Sequence, residues 1–262
     1  MHTPSRPDRI QVGTWLQTGS PTIAELADAS GFDWLLIDLE HGWGTEASVL
    51  PQLHVIRRAA AIVRPGTPSP DLIARVLDWG ASGIMVPHVS TVEKAEACVR
   101  AMRYPPRGDR GLAYMTRCHG YGLSHAPLDK APLFFAQIET LEGVQNARAI
   151  AEVDGVDVLF IGPADLRLNL QAYPGRDSRN YDACLQEVLA AAAACGKGCG
   201  ILISQADDAM AFHAMGFTHL ACETDLTLLR EDYRRVVGSL GGPRHGNLPL
   251  PSPMAKPGMT ST

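Results

Sequence analysis

Two carboxylates, Glu139 and Asp165, each stand at or just past the end of a short apolar run. Brought to one place, two bare carboxylates repel each other and need a shared proton or a cation. No Cys/His cluster lies beside them in the sequence, so an oxygen-rich site for Mg²⁺, Mn²⁺ or a similar ion is the natural reading. The plainer alternative has one of them capping a helix or pairing with an arginine. Arg64 closes the run Ala60-Ala61-Ile62-Val63-Arg64. Its guanidinium suits an anion or the negative charge that develops on an enolate oxygen, unless it only forms a salt bridge within its own surroundings. His41 follows Asp38-Leu39-Glu40 and is a candidate for proton transfer near neutral pH. Gly162-Pro163-Ala164-Asp165 would present backbone N–H groups at a helix N-terminus, a cradle for a carboxylate or phosphate. His88, His119 and His125 are weaker candidates, and His213 and His219 fall inside helix and strand patterns.

These residues need elements that bring them together. Strand-type runs are expected over residues 12–17, 34–39, 60–64, 83–87, 133–139, 156–162, 200–204 and 218–223. Several are continuously apolar, such as Trp34-Leu35-Leu36-Ile37 and Val158-Leu159-Phe160-Ile161, which is the habit of parallel strands buried on both faces. Helical spacing fills the gaps, for example Leu72, Ile73, Val76 and Leu77, or Leu185, Val188 and Leu189. Ser20-Pro21 and Ser69-Pro70 read as helix starts, and Gly31, Gly80, Gly155 and Gly216 as helix ends. The helix after the second strand is interrupted by Pro51 and is expected to start there. Eight strands alternating with eight helices predict an α/β fold, a single-domain (β/α)8 TIM barrel over residues 11–240, with a doubly wound sheet as the alternative. No GxGxxG or P-loop follows any strand, which weakens the nucleotide-binding form of that alternative. In such barrels the active site lies at the C-terminal ends of the strands. The predicted strands end there in Asp38 to His41, Arg64, Pro87-His88, Gln137-Ile138-Glu139, Gly162 to Asp165, and Glu223.

The totals agree with one large globular domain: 262 residues, 45% hydrophobic and 19% charged. A net charge of −5 argues against nucleic acid or an anionic membrane as partner. Six cysteines without zinc-type spacing read as free thiols in a reducing compartment. No run approaches the roughly 20 apolar residues of a membrane helix, and MHTPSRPDRI lacks a signal-type core, so a cytoplasmic location is expected. Residues 1–10 read as an N-terminal extension, and 241–262, rich in Pro, Gly and Ser, as a disordered tail. Residues 103–131 form a long segment rich in Gly, Pro, Arg and His, of the kind that is usually functional or disordered.

Seven short motifs recur in this order: Gly31-Phe32-Asp33-Trp34, Ile37-Asp38-Leu39-Glu40-His41, Leu77-Asp78-Trp79-Gly80, Arg103-Tyr104-Pro105-Pro106, Arg110-Gly111, Gln137-Ile138-Glu139-Thr140 and Phe160-Ile161-Gly162-Pro163-Ala164-Asp165-Leu166. Together they resemble the HpcH/HpaI aldolase family, the metal-dependent (class II) pyruvate aldolases, from about Val12 to Val237. The resemblance implies an aldehyde-lyase that cleaves or forms 4-hydroxy-2-oxo acids through a metal-stabilised enolate of pyruvate (or hydroxypyruvate), with Mg²⁺, Mn²⁺ or Co²⁺ as cofactor. By position it implies Glu139 and Asp165 as metal ligands, with Gln137, Gly162, the Ala164 backbone N–H and Asp165 around the oxo acid. It implies Arg64 for the enolate, His41 for proton abstraction and Asp78 for raising that histidine's basicity. Asp78 falls near a helix end, away from the catalytic rim of its own barrel. It would therefore act through a distorted barrel or on a neighbouring subunit of the homo-oligomers, hexamers or trimers, that the resemblance implies, with Asp38 as the alternative partner of His41.

No Schiff-base lysine is required, and none of Lys94, Lys130, Lys197 and Lys256 is predicted at a strand end. Gly42-Trp43, the strand-eight end Ala221-Cys222-Glu223-Thr224-Asp225 and residues 114–125 depart from the family's usual pattern and touch the aldehyde side. The competing readings are a related enolate lyase, such as an oxaloacetate decarboxylase or macrophomate synthase-like enzyme or a CoA-ester lyase, and a non-catalytic barrel that binds an oxo acid.

Overall fold

The computed structural model describes residues 9–123, 128, 131–173 and 179–241. Eight parallel strands close into one barrel in chain order, with β8 returning to β1. They are β1 (Gln11–Leu16), β2 (Trp34–Asp38), β3 (Ala60–Arg64), β4 (Gly83–Val86), β5 (Leu133–Ile138), β6 (Val158–Ile161), β7 (Gly198–Ile203) and β8 (His219–Thr224). Between and after them run α1 (Pro21–Ser30), α2 (Glu46–Val55), α3 (Pro70–Asp78), α4 (Val92–Met102), α5 (Leu141–Gln145), α6 (Ala147–Glu152), α7 (Pro163–Ala172), α8 (Tyr181–Ala194), α9 (Ala209–Met215) and α10 (Asp225–Ser239). Closure in this order is the (β/α)8 barrel and rules out the doubly wound sheet.

The period of two along each strand explains both the core and the site. On β2, Leu35 and Ile37 face outward and join the layer between sheet and helices, while Trp34 and Leu36 face inward. The inward set, with Trp15, Ile62, Met85, Phe135, Val158, Phe160 and Ala221, fills the barrel axis. Its rings pack against one another, Trp15 on Phe160 at 5.4 Å and Trp34 on Phe135 at 5.6 Å between centroids. Each fully buried side chain of this size contributes roughly 1.5–3 kcal/mol relative to exposure. Advancing two residues along the strand from the inward layer gives Asp38 on β2, Arg64 on β3, Gln137 and then Glu139 at β5, and Gly162 after β6. A solid aromatic floor therefore sits directly under a ring of polar residues.

All eight predicted strands are present, with ends shifted by up to two residues. Ser20 caps α1, accepting the Ile23 N–H at 3.4 Å; Ser69 occupies the cap position of α3 without a side-chain bond. Gly31, Gly80, Gly155 and Gly216 all have positive φ, as helix-ending residues do. Three expectations change. Pro51 lies inside α2, which starts at Glu46; the helix gives up one backbone bond there and continues. The helix expected after β5 is two short ones, α5 and α6, broken at Asn146, whose side-chain amide donates to the Ser90 carbonyl at 2.8 Å. The β6–β7 connection carries α7 before the α8 foreseen from its apolar spacing, so the described residues hold ten α-helices. No two cysteines are bonded to each other, and no helix of the described residues is long and apolar enough to cross a membrane. His125, Lys130, Lys256, most of the N-terminal extension and all of the tail beyond Gly241 lie outside the described residues.

Candidate active site

Asp38 is fully buried at the end of β2 and forms a two-pronged pair with Arg64, Nε to Oδ1 at 3.0 Å and Nη2 to Oδ2 at 2.8 Å. Its Oδ1 also accepts the Glu40 and His41 backbone N–H groups at 3.0 and 3.3 Å, which anchors the loop that carries His41. Burial pushes the Asp38 carboxyl up, but Arg64's hydrogen bonds and charge, with those two N–H groups, outweigh it and hold the carboxyl below its usual range. Arg64 Nη1 lies 2.9 Å from Glu40 Oε2 and 3.5 Å from Gln137 Oε1. Gln137 then donates from Nε2 to Glu139 Oε2 at 2.6 Å. A continuous polar chain thus crosses the mouth from Asp38 through Arg64 and Gln137 to Glu139.

Glu139 is buried directly after β5. Its Oε1 accepts the His88 backbone N–H at 2.6 Å and lies 2.9 Å from His88 Nδ1. Burial raises the Glu139 carboxyl above its ordinary value, against the opposing pull of His88, and the carboxylates of Asp165 and Glu40 push it further up. Asp165 sits in the first turn of α7. Gly162, the cap of that helix, offers no side chain to its free N–H groups. A Cβ at Gly162 would collide with Glu139 Oε2 and stand 2.9 Å from Gln137 Nε2, so only glycine lets the two strand ends approach this closely. Glu139 and Asp165 together offer two hard oxygen donors, a set that fits a divalent cation of the Mg²⁺ or Mn²⁺ kind with most positions left to water and substrate. No group of three or more Cys, His, Asp or Glu with metal-ligand spacing occurs among the described residues.

His41 stands exposed at the mouth, its Nε2 4.0 Å from Glu40 Oε2. Asp38 meets only the His41 backbone, because Arg64 occupies its carboxylate; the alternative pairing of Asp38 with the His41 ring is absent from this chain. Asp78 ends α3 at the opposite end of the barrel, where it pairs with Arg110 Nη2 at 2.6 Å. One chain therefore brings together Arg64, Gln137, Glu139, Gly162, Ala164, Asp165 and His41, and leaves Asp78 apart.

Two rim residues were not singled out as site residues by sequence reasoning. Glu40 joins Arg64 and His41, and nothing but its place beside Asp38 and His41 hinted at it. His88 reads from the sequence as a weaker candidate, because its placement depends on backbone geometry: its φ is +53°, in the left-handed region. Lys94 is also at the rim despite its place on α4. Its long stem reaches back so that Nζ donates to the Pro87 and His88 carbonyls at 3.0 and 2.8 Å. Burial lowers its pKa, opposed by Cys98, Glu139 and Glu40. At β8, Glu223 has φ +59°, where the pairing with β1 shifts register. Trp43 projects into solvent beside the mouth, 76% exposed.

The family model for HpcH/HpaI aldolase/citrate lyase matches residues 11–231. A 5-keto-4-deoxy-D-glucarate aldolase of Citrobacter koseri is 36% identical over 233 residues, covering 87% of this chain and 91% of the relative. A 4-hydroxy-2-oxovalerate aldolase of Novosphingobium aromaticivorans is 45% identical over 202 residues, covering 74% and 76%. Among solved structures, an HpcH/HpaI aldolase/citrate lyase family protein from Burkholderia cenocepacia superposes with a TM-score of 0.82 at 32% identity, covering 90% of this chain and 96% of that one.

Proposed function

Because the chain belongs to the HpcH/HpaI aldolase/citrate lyase family and is a lyase of the aldolase kind, we propose that it cleaves and forms 4-hydroxy-2-oxo acids, yielding pyruvate or hydroxypyruvate and an aldehyde, with a divalent metal held by Glu139 and Asp165. The observation that carries this reading is Glu139: a carboxylate buried under the mouth, raised by its burial and by two more carboxylates, with a glycine cleared away in front of it. A cation there removes the repulsion that the chain alone leaves in place.

The ion, when bound, supplies Lewis acidity toward the keto and carboxylate oxygens of the oxo acid. The chain's own groups do the rest. The uncapped N-terminus of α7, at Ala164 and Asp165, favours the substrate carboxylate. His41 takes the proton of the C4 hydroxyl. The C3–C4 bond breaks, its electron pair passes into the pyruvate enolate, and the C4 carbon leaves as the aldehyde carbonyl. Arg64 Nη1 faces the developing charge on the enolate oxygen, held in place by the two-pronged bond to Asp38. A proton returned to C3 releases pyruvate. In this reading Asp78 serves the His41 of a neighbouring copy in a cytoplasmic homo-oligomer, a hexamer or trimer, since its own barrel keeps it at the far end. Trp43 and Glu223 border the aldehyde side.

The test is pyruvate release from a 4-hydroxy-2-oxo acid. Activity is expected to vanish on chelation and to return with Mg²⁺, Mn²⁺ or Co²⁺. Cleavage that survives the chelator, or borohydride trapping of pyruvate on Lys94, would sink the proposal.

A further inference from the structure

His88 kinks the chain just past the end of β4. Val86 is the last residue paired along the strand, opposite Ala136, and Val89 N–H rejoins β5 by donating to the Gln137 carbonyl at 3.0 Å. Between them, His88 adopts φ +53°, a left-handed conformation that strains a non-glycine backbone. The kink turns the His88 backbone N–H away from the strand ladder and onto Glu139 Oε1 at 2.6 Å. It also brings His88 Nδ1 to 2.9 Å from the same oxygen. The backbone N–H makes the hydrogen bond, and the imidazole lies against the same oxygen as a close polar contact. Lys94, donating to the Pro87 and His88 carbonyls, ties the kinked backbone to the first turn of α4.

Glu139 is therefore gripped from two sides, Oε1 by His88 and Oε2 by Gln137. Oε2, with a single donor on it, keeps a lone pair free. Backbone strain that persists in a folded protein requires surroundings that over-determine it, and here the surroundings are Lys94 and Glu139. We propose that His88 is a positioning residue for the metal site: its imidazole, set against Oε1, and its left-handed backbone, which aims the N–H there, together fix the rotamer of Glu139 and so set the affinity for the ion. This rests on the metal reading of Glu139 and Asp165 above, and concerns an outer contact of a ligand rather than a further ligand. Outer-shell partners of ligands typically control affinity by roughly 10–100-fold.

The experiment is a Mn²⁺ titration of the full-length, metal-stripped protein, following the EPR signal of free Mn²⁺, with thermal melting as the check on folding. Asparagine tolerates left-handed φ and carries an N–H donor where histidine carries Nδ1, so His88→Asn is expected to stay within about threefold of wild-type affinity. His88→Gly adopts the left-handed backbone without strain and loses the imidazole, and is expected to weaken Mn²⁺ binding about 10–100-fold. His88→Ala also keeps the strain and is expected to fall at least as far; if it fails to fold, the asparagine and glycine variants still decide the matter. Wild-type affinity in His88→Gly overturns the proposal, as does a loss in His88→Asn equal to that in His88→Gly. Glu139→Gln separates the two readings: if it binds Mn²⁺ like wild type, or wild type binds none, the metal site itself is wrong.

Discussion

Two arginine–aspartate pairs, each with a buried arginine, stand at opposite ends of the barrel and behave differently. At the C-terminal ends of the strands, Arg64 engages Asp38 with two nitrogens and Glu40 with the third, and Asp38 in turn receives two backbone N–H groups. At the far end, Arg110 holds Asp78 by Nη2 alone; its Nε has no hydrogen-bond partner among the described residues, and its guanidinium rests on the Tyr104 ring at 4.7 Å. The Asp38 side chain is 0% exposed and that of Asp78 26%. The same two residue types thus make a closed, over-determined platform in one place and a half-open contact in the other. The first can hold a charge steady under a reacting molecule. The second leaves Asp78 with spare acceptor capacity, which is what service to a neighbouring copy requires.

The largest expected break comes from Arg64→Ala. It removes a donor from the enolate, lowering kcat by about 10²–10³, and strands Asp38, destabilising the fold by about 3–5 kcal/mol. Steady-state kinetics and denaturant melts read the two effects separately. Arg110→Ala is expected to cost about 1–3 kcal/mol, because one bond to a partly open partner and the stacking on Tyr104 are lost; an equal loss at both ends would erase the distinction drawn here. Mixing chains carrying Asp78→Asn with chains carrying Arg64→Ala, each nearly inactive, should restore part of the activity through mixed interfaces; no recovery would mean that Asp78 does not act across copies. Asp38 also gives the upper pair a pH signature. Its folded carboxyl lies below the unfolded value of about 3.9, so the pair's contribution is present above that pH and is lost as pH falls through the lower folded value. Asp38→Asn should flatten the acid limb of the stability curve. The smallest effect is expected from Trp43→Ala: a few-fold rise in KM for the aldehyde, with C3 proton exchange of pyruvate in heavy water unchanged.

Much of this was legible in the sequence because it follows from periodicity. Continuous apolar runs gave the strands, and the charged residue closing each run gave Arg64, Glu139 and the Asp38–His41 loop. The turn Gly162 to Asp165 was legible as a strand-to-helix junction. What stayed hidden depends on angles and long-range partners. Pro51 reads as a helix start, yet sits inside α2. His88 matters through a backbone angle that no residue type announces. Arg110 lies 32 residues from Asp78, and nothing local links them. Lys94 looks like a helix surface residue until its stem is traced back to the β4 end.

Gln137 gives the mouth a direction. Its amide has one orientation only, oxygen toward Arg64 and nitrogen toward Glu139, so it works as a one-way joint between a donor on β3 and an acceptor after β5. Flipping it would set donor against donor and acceptor against acceptor. The run of donors across the mouth therefore has a fixed sense, from Arg64 through Gln137 to Glu139, and turning any one member round would break the two contacts on either side of it.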